Sequence, residues 1–288
     1  MKKLLIYIIA YNTEKFITNV LDRISIDLTK KYDVEILIND DSSLDRTFKI
    51  IDSYTKENKD KFNFKILSNP KNQGYGGNQK IGYFYALKNN FDFVALLHGD
   101  GQYAPEYLDS LIEPLHQENI DAVFGSRMLI SGNALKGGMP LYKYVGNKIL
   151  TWFQNFLLKT NLSEFHSGYR IYKVSSMGKV PYQLNANNFC FDTDIIIQFV
   201  INKLKIKELP IPTYYADQIS YVNGPIYAIQ ICISTIRAKL QNLRIFSTKK
   251  FKINNEKKLL ALDEENEKLE KLFKLAENNA KNYNFKKT

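Results

Sequence analysis

Residues 4–125 alternate short apolar runs with segments of helical periodicity. Leu4–Ala10 is continuously apolar, as expected of a strand covered on both faces, and the segment after it spaces its apolar residues at helical intervals. Further strands are predicted at Val34–Ile38, Phe64–Leu67, Phe93–Leu97 and Ala122–Gly125. This order predicts an α/β fold with a mainly parallel, Rossmann-like sheet, helices on both faces, and further helices toward the C-terminus.

The charge balance bears on the partners of the chain. Its 288 residues carry a formal net charge of +10, and 44% of them are hydrophobic, which excludes a disordered chain. The two cysteines, Cys190 and Cys232, fit free thiols in a reducing compartment. The positive excess suits anionic lipid, phosphorylated substrates or nucleic acid. Because the basic residues are spread along the chain without a nucleic-acid-binding motif, we expect no nucleic acid partner.

Two apolar stretches raise the question of membrane contact. No run of eighteen apolar residues occurs, so a spanning helix is not expected. Leu150–Leu158 and Ile226–Ile236 come closest, and a basic cluster ending at Lys252 follows the second. This pattern fits an interfacial membrane helix and equally a core helix with a solvated end. The predicted location is cytoplasmic and peripheral, at the inner face of the membrane.

The last part of the chain has a different composition. We divide the chain into a sheet-containing domain at 1–225, an apolar and basic helical region at 226–252, and a charged helical tail at 253–288. The tail carries a heptad seam, which predicts either a dimerising coiled coil or a solvated helix. The seam residues are Leu259, Leu262, Asn266, Leu269, Phe273, Ala276, Ala280 and Tyr283.

Three polar clusters follow predicted strands, where parallel sheets bind their ligands. Asp40 and Asp41 could bind a base and a ribose, or cap the next helix. The stretch Gly74–Gly77 resembles a dinucleotide loop but lacks its third glycine, so a tight turn or a close backbone approach explains it equally well. His98–Gln102 presents donors at alternate positions and could hold Mg²⁺ or Mn²⁺; a polar turn is the alternative.

Taken together, these segments resemble the family 2 glycosyltransferases of GT-A fold, in the branch of the dolichyl-phosphate mannose synthases. The resemblance covers roughly residues 4–245 and makes 1–225 the catalytic domain. The matching segments are Ile8–Asn12 (IIAYN), Asp40–Thr47 (DDSSLDRT), Asn72–Gly82, His98–Glu106 (HGDGQYAPE), Gly125–Arg127 (GSR), Ser167–Arg170 (SGYR) and Phe191–Asp194 (FDTD).

The resemblance implies a role for each matching residue. The implied donor-binding residues are Tyr11, Asp40, Asp41, Gly74, Gly76, Asp100 and Arg127. The implied metal ligands are His98, Asp100 and Gln102, for Mg²⁺ or Mn²⁺. Acceptor or phosphate groups would meet Ser167 and Arg170, with Lys173 as a further cation, and the implied catalytic residues are Asp100, Arg127, Asp192 and Asp194.

Three departures from the family pattern affect these expectations. Ile9 stands where the family has Pro, and His98 replaces the first Asp of the metal motif, so we expect weaker metal binding or a preference for Mn²⁺. The later basic segment of the branch is replaced by 216–221, which has no Arg or Lys. Phosphate charge would then be met by Arg127, Arg170, Lys173 or the metal.

The expected reaction is inverting transfer of a hexose from a UDP- or GDP-linked sugar to an acceptor. We expect a polyprenyl phosphate, dolichyl or undecaprenyl, which is already an anion and needs no base. The alternative acceptor is a saccharide hydroxyl in surface polysaccharide synthesis, for which Asp192 or Asp194 is the candidate base. These two carboxylates could instead cap the following helix. An inactive sugar-nucleotide binder is a third reading.

Overall fold

The computed structural model describes residues 1–214, 222–245, 247–251 and 256–283; the departing segment 216–221 lies outside them. The strands are β1 (Lys2–Ala10), β2 (Tyr32–Asp40), β3 (Asn63–Ser68), β4 (Phe93–His98), β5 (Ala122–Ser126), β6 (Arg170–Lys173) and β7 (Ile206–Pro210). The helices are α1 (Ile17–Asp22), α2 (Thr47–Glu57), α3 (Tyr75–Lys88), α4 (Leu108–Ile112), α5 (Asn133–Lys136), α6 (Leu141–Leu158), α7 (Val174–Met177), α8 (Phe191–Ile201), α9 (Gly224–Asn242) and α10 (Glu256–Lys281). Short 3-10 turns occur at Ile26–Lys30, Pro105–Tyr107, Glu113–His116, Tyr182–Leu184 and Lys249–Phe251.

Within the described residues the strands form one sheet in the order β3-β2-β1-β4-β6-β5-β7. Neighbouring strands are parallel except that β6 runs antiparallel to both β4 and β5. The predicted fold class, mainly parallel α/β with helices on both faces, is confirmed. The inserted strand β6 was not predicted, because its four residues, RIYK, are too few to form a recognisable strand pattern.

Alternate residues of the central strand enter two separate cores. Leu4, Ile6 and Ile8 pack with α1, α2 and α4 on one face of the sheet. Leu5, Tyr7 and Ile9 pack with α3 and α8 on the other. A strand covered on both faces cannot alternate apolar and polar residues, which explains why the sequence of β1 is a continuous apolar run.

The strand register brings two of the predicted clusters together. Ala10, the last residue of β1, pairs with Asp40 of β2 on one side. Its predecessor Ile9 pairs with His98 of β4 on the other side. The turns after β2 and β4 therefore flank the end of β1 and lie next to each other at one edge of the sheet.

The C-terminal seam packs within the chain itself. Helix α10 lies against the edge strand β3 and against α3. Leu269 and Ala276 are buried in the second core, and the ring of Phe273 stacks on Tyr85 with centroids 5.1 Å apart. For this part of the seam the apolar side chains have partners in the same chain, which neither the dimerising coiled coil nor the solvated helix predicts.

Candidate active site

A cleft of about 1550 Å³ opens at the carboxyl ends of β1, β2 and β4. Single small-molecule ligands usually occupy cavities of about 300–1,000 Å³, so this cleft has room for two reactants side by side. Its inner wall is formed by the turns after these strands and its outer wall by α6 and the start of α9. Tyr11 lies on the inner wall, as the sequence predicted.

The two acidic residues after β2 shape their own loop. The Asp41 carboxylate accepts hydrogen bonds from Asn69 Nδ2 (2.7 Å) and from the backbone N–H of Gln73 (2.8 Å) and Gly74 (3.1 Å). Asp40 accepts from the backbone and hydroxyl of Ser43, and burial raises its pKa to about 6. Asp41 lines the cleft and supports the glycine-rich turn, whereas Asp40 is turned into its own loop.

The helix-cap alternative for Asp40 and Asp41 is wrong. Helix α2 begins at Thr47, and the N–H of Thr47 donates to the Asp45 carboxylate at 2.9 Å. Asp40 and Asp41 lie several residues earlier, at the end of β2, and contact other groups. Their position at the strand end is therefore set by the loops around the cleft and not by the helix that follows.

The glycines after β3 allow a close backbone approach. Gly74 has a φ of +78°, lines the cleft and precedes α3, which begins at Tyr75. The N–H groups of Gly76 and Gly77 donate to the Asn187 carbonyl at 2.8 and 3.1 Å. A Cβ on Gly76 would lie 2.6 Å from the Phe191 Cβ. Gly76 therefore admits the 186–188 loop and does not line the cleft, which corrects its predicted place in the donor site.

His98, Asp100 and Gln102 all line the cleft. His98 ends β4 and the next residues form a turn, with Gly101 at a φ of +74°, so the three do not alternate along an extended strand as predicted. The side chain of Asp100 accepts from the N–H of Gln102 at 3.1 Å, and burial raises its pKa to about 6. Burial and the nearby Arg170 and Arg127 lower the pKa of His98 to about 3, so its imidazole is neutral.

These residues fit a divalent cation that shares its ligands with a substrate. Asp100 is a carboxylate in a desolvated position, and it forms no ion pair with any described residue. The described residues contain no group of three or more His, Cys, Asp and Glu side chains of the kind that encloses a metal alone. A cation held by Asp100 and the neutral His98 would therefore take its remaining ligands from phosphate and water, as Mg²⁺ commonly does.

Arg127 lies in the cleft, where the sequence placed it, but its partner was not predicted. Its backbone N–H donates to Glu164 Oε2 at 2.9 Å and its Nε donates to Glu164 Oε1 at 3.1 Å. Nη2 donates to the same carboxylate and, at 3.2 Å, to the His166 carbonyl. Glu164 is the first acidic residue after Arg127, because residues 128–163 contain only basic charged residues. The position of a single acidic residue directly after this long basic segment is the signal that could have identified Glu164.

The Ser167–Arg170 segment supports the cleft from behind. Arg170 is fully buried, and its guanidinium donates to the carbonyls of Phe165, Ser167 and Asp192, each at 2.9 Å. Ser167 is also buried and does not line the cleft. Direct phosphate binding by Arg170 is at odds with this geometry, because all of its donors face the protein interior.

Lys173 lies at the end of the sheet opposite the cleft. Because β6 is antiparallel, Lys173 pairs with Phe93 at the start of β4, whereas Arg170 pairs with Leu96 near the end of β4. The Lys173 ammonium donates to the carbonyl of Gln117 at 2.6 Å. Its predicted place beside the acceptor is therefore corrected by the direction of β6.

The two candidate bases at the start of α8 are both engaged. Asp192 lines the cleft and accepts from Tyr75 Oη (2.9 Å) and Gln79 Nε2 (3.2 Å), with Arg170 Nη1 3.4 Å away. Asp194 is fully buried and accepts from Ser234 Oγ (2.6 Å), Lys250 Nζ (2.6 Å) and the N–H of Ala186 (3.0 Å). The residue that caps α8 is Cys190, so neither carboxylate takes the N-cap position.

Helices α6 and α9 pack together and carry an exposed apolar face beside the cleft. Neither 128–163 nor 222–245 contains an acidic residue, and both contain Lys or Arg. In the described part of the chain no helix is both long enough and apolar enough to cross a membrane. The exposed apolar residues on α6 and α9 are Leu141, Tyr142, Val145, Ile149, Trp152, Phe156, Ile226, Ile229, Ile233 and Ile236.

Comparison with known proteins agrees with this architecture. The solved glucosyl-3-phosphoglycerate synthase from Mycobacterium tuberculosis, in complex with Mn²⁺, uridine diphosphate and phosphoglyceric acid, superposes with a TM-score of 0.59. It is 17% identical, and the match covers 83% of this chain and 78% of that one. At this identity the likeness shows the fold alone.

Sequence relatives are closer. A UDP-N-acetylglucosamine–dolichyl-phosphate N-acetylglucosaminyltransferase from Methanococcus voltae is 32% identical over 224 residues, which is 74% of this chain and 87% of that protein. A polyprenol monophosphomannose synthase from Mycolicibacterium smegmatis is 25% identical over 179 residues, 62% of this chain and 66% of that protein. The model of the family "Glycosyl transferase family 2" matches residues 5–180. The resemblance seen in the sequence is thus confirmed, and the chain belongs to glycosyl transferase family 2.

Proposed function

We propose that the chain transfers a hexose, with inversion, from a UDP- or GDP-linked sugar to a polyprenyl phosphate. The family membership supports glycosyl transfer, and the relatives named for dolichyl phosphate and polyprenol monophosphomannose support this acceptor class. The structural neighbour bound to Mn²⁺ and uridine diphosphate supports a sugar nucleotide as the donor.

The observation that carries the acceptor class is the state of the two carboxylates on α8. Both oxygens of Asp192 and both oxygens of Asp194 already accept hydrogen bonds from the protein. A sugar hydroxyl needs a base to remove its proton. Asp194 is fully buried and ion-paired with Lys250, so it does not reach a hydroxyl in the cleft. Asp192 faces the cleft, but its charge is matched by the neighbouring Arg170 and its oxygens are engaged by Tyr75 and Gln79. A phosphate monoester has a second pKa of about 6 and is already an anion at neutral pH, so it needs positioning rather than deprotonation.

Different residues of the inner wall would bind different parts of the donor. Tyr11 would contact the nucleotide base, and Asp41 would hold the Gly74 turn beneath it. The Arg127 guanidinium, fixed by Glu164, would neutralise charge that develops on the departing diphosphate. A bound Mg²⁺ or Mn²⁺ would supply Lewis-acid stabilisation of the same charge, held by Asp100 and His98 with Gln102 close by.

The outer wall supports a membrane-bound acceptor. The apolar faces of α6 and α9 would lie at the lipid–water boundary, and their basic residues would meet anionic head groups. The cleft is partly lined by Tyr142, Leu150 and Tyr227 of the same helices, so it opens beside this face. A lipid phosphate could then enter the cleft while its chain remains in the bilayer. This arrangement supports a peripheral location at the inner face of the membrane.

The test is an acceptor comparison with the purified full chain. Radiolabelled UDP-N-acetylglucosamine, UDP-glucose and GDP-mannose are each incubated with Mn²⁺ and either undecaprenyl phosphate, dolichyl phosphate or an oligosaccharide. We expect butanol-extractable label with a lipid phosphate, and none with the Asp100→Asn variant. Label found only on the oligosaccharide would contradict the acceptor class. No label on any acceptor, together with measurable nucleotide binding, would favour a sugar-nucleotide binder without transferase activity.

A further inference from the structure

The imidazole ring of His98 lies between the rings of two tyrosines at the candidate cation site. The rings of Tyr75 and Tyr103 meet it edge-on, with centroids 5.5 and 4.9 Å away and interplanar angles of 74° and 89°. A Cβ on Gly168 would lie 2.6 Å from the imidazole, so the glycine at this position leaves the ring its space. The orientation of His98 is thus fixed by packing, and which of its nitrogens carries the proton depends on its hydrogen bonds.

The protons of this cluster can be assigned one by one. The Tyr75 hydroxyl has a single proton and lies 2.9 Å from Asp192 Oδ2 but 3.4 Å from His98 Nε2. Asp192 is an acceptor in every contact it makes here, including those from Gln79 and Arg170. The tyrosine proton therefore goes to Asp192, and the tyrosine oxygen is left to accept. A neutral His98 that is protonated on Nε2 can donate to that oxygen, whereas the opposite tautomer would set two lone pairs against each other.

We propose that Asp192 and Tyr75 are positioning residues that hold His98 as its Nε2–H tautomer, so that Nδ1 is the nitrogen offered to a divalent cation beside Asp100. The proposal rests on the proposed function only in requiring a cation at this site. It explains how a histidine can serve where the family has an aspartate. A carboxylate has two equivalent oxygens, whereas an imidazole ligates through one nitrogen and needs a partner to fix which one.

The tautomer can be read directly in the unaltered protein. Nitrogen-15 NMR of the chain with labelled histidine reports which ring nitrogen is protonated, and His98 is assigned with the His98→Asp variant among only three histidines. We expect His98 to be neutral and protonated on Nε2 at pH 7. A resonance pattern with the proton on Nδ1 would overturn the proposal, whatever the transferase assay shows.

Cation binding then tests the role of Tyr75. Mn²⁺ is titrated into the chain in the presence of UDP and followed by electron paramagnetic resonance, which requires neither acceptor nor turnover. We expect Tyr75→Phe, which keeps the ring stacked on Phe189, to weaken Mn²⁺ binding by about 10- to 100-fold. Tyr83→Phe is the matched control, because it removes a hydroxyl that donates to Gln79 in the same cluster without touching His98. We expect this control to change binding by less than about threefold.

A double variant separates positioning from general damage. An aspartate at position 98 has no tautomer to fix, so Tyr75→Phe should change Mn²⁺ affinity by less than about threefold in the His98→Asp background. The same 10- to 100-fold loss in both backgrounds would show that Tyr75 acts through the fold, and would overturn the proposal. Wild-type affinity in the single Tyr75→Phe variant would overturn it as well. Neither result depends on whether sugar is transferred to lipid.

Discussion

On the proposed function, removing two aromatic rings from α6 should weaken the binding of the protein to lipid vesicles without altering its fold. Trp152 is 67% exposed and Phe156 is 69% exposed, and their rings stack 6.0 Å apart on the outer face of α6. Neither ring contributes to the buried cores. The double variant Trp152→Ala/Phe156→Ala therefore removes exposed apolar surface and leaves the core packing unchanged.

The magnitude follows from the exposed area. An aromatic side chain buries about 150–250 Å² when fully covered, so about two thirds of that, roughly 100–170 Å², remains exposed on each ring. At about 25 cal/mol per Å², full transfer from water is worth about 2.5–4 kcal/mol for each ring. Insertion to half depth at the interface halves this, which gives about 3 kcal/mol for the pair. The expected loss in vesicle binding is about 100-fold.

The assay is sedimentation with vesicles of phosphatidylcholine containing phosphatidylglycerol. Leu275→Ala is the control, because Leu275 is 56% exposed on α10, which packs against β3 and α3. We expect this control to bind vesicles like the unaltered protein. Both the control and the aromatic double variant should keep the circular dichroism spectrum of the unaltered protein. Equal vesicle binding by the aromatic double variant and the unaltered protein would refute the assignment of this face to the lipid surface.

Three further changes probe the inner wall. Burial raises the folded-state pKa of Asp100 from 3.8 to about 6, so the stability of the protein falls as pH rises through this interval. Asp100→Asn should therefore raise the free energy of unfolding of the cation-free protein by about 1–3 kcal/mol at pH 7 but not at pH 4, as measured by calorimetry, and should abolish cation binding. Glu164→Gln leaves the buried Arg127 without its carboxylate and should cost about 3–5 kcal/mol in urea unfolding, whereas a loss under 1 kcal/mol would deny the pair its structural role. Gly76→Ala forces α8 to shift and should cost about 1–3 kcal/mol, while Gly146→Ala, in open space within α6, should stabilise by about 0.5–1 kcal/mol in the same titration.

The sequence predicted those parts of the fold that depend on the pattern of residues within one short segment. Continuous apolar runs mark strands covered on both faces, and Leu4–Ala10 lies within β1 as a result. Polar clusters at strand ends could be placed in one site because parallel strands share a carboxyl edge. Asp41, His98 and Asp100 accordingly line the cleft.

The parts that it missed depend on contacts between distant segments. The reversal of β6 decides that Arg170 lies near the cleft and Lys173 does not, and no local pattern records a strand direction. The pairing of Arg127 with Glu164 spans two loops. The heptad pattern of α10 shows that one face of the helix is apolar. Packing within the same chain and packing against a second chain both require such a face, so the pattern does not distinguish them.

The packing of α10 on the edge strand has a consequence for folding during synthesis. Asn279 Nδ2 donates to Ser68 Oγ and to the Ser68 carbonyl, each at 3.1 Å, across 211 positions of sequence. While the ribosome is still translating the middle of the chain, β3 is complete but has nothing along its outer side. An uncovered edge strand is a template for pairing with other chains. The nascent protein therefore passes through a long interval of aggregation risk, and we expect it to require chaperones until the C-terminal helix emerges.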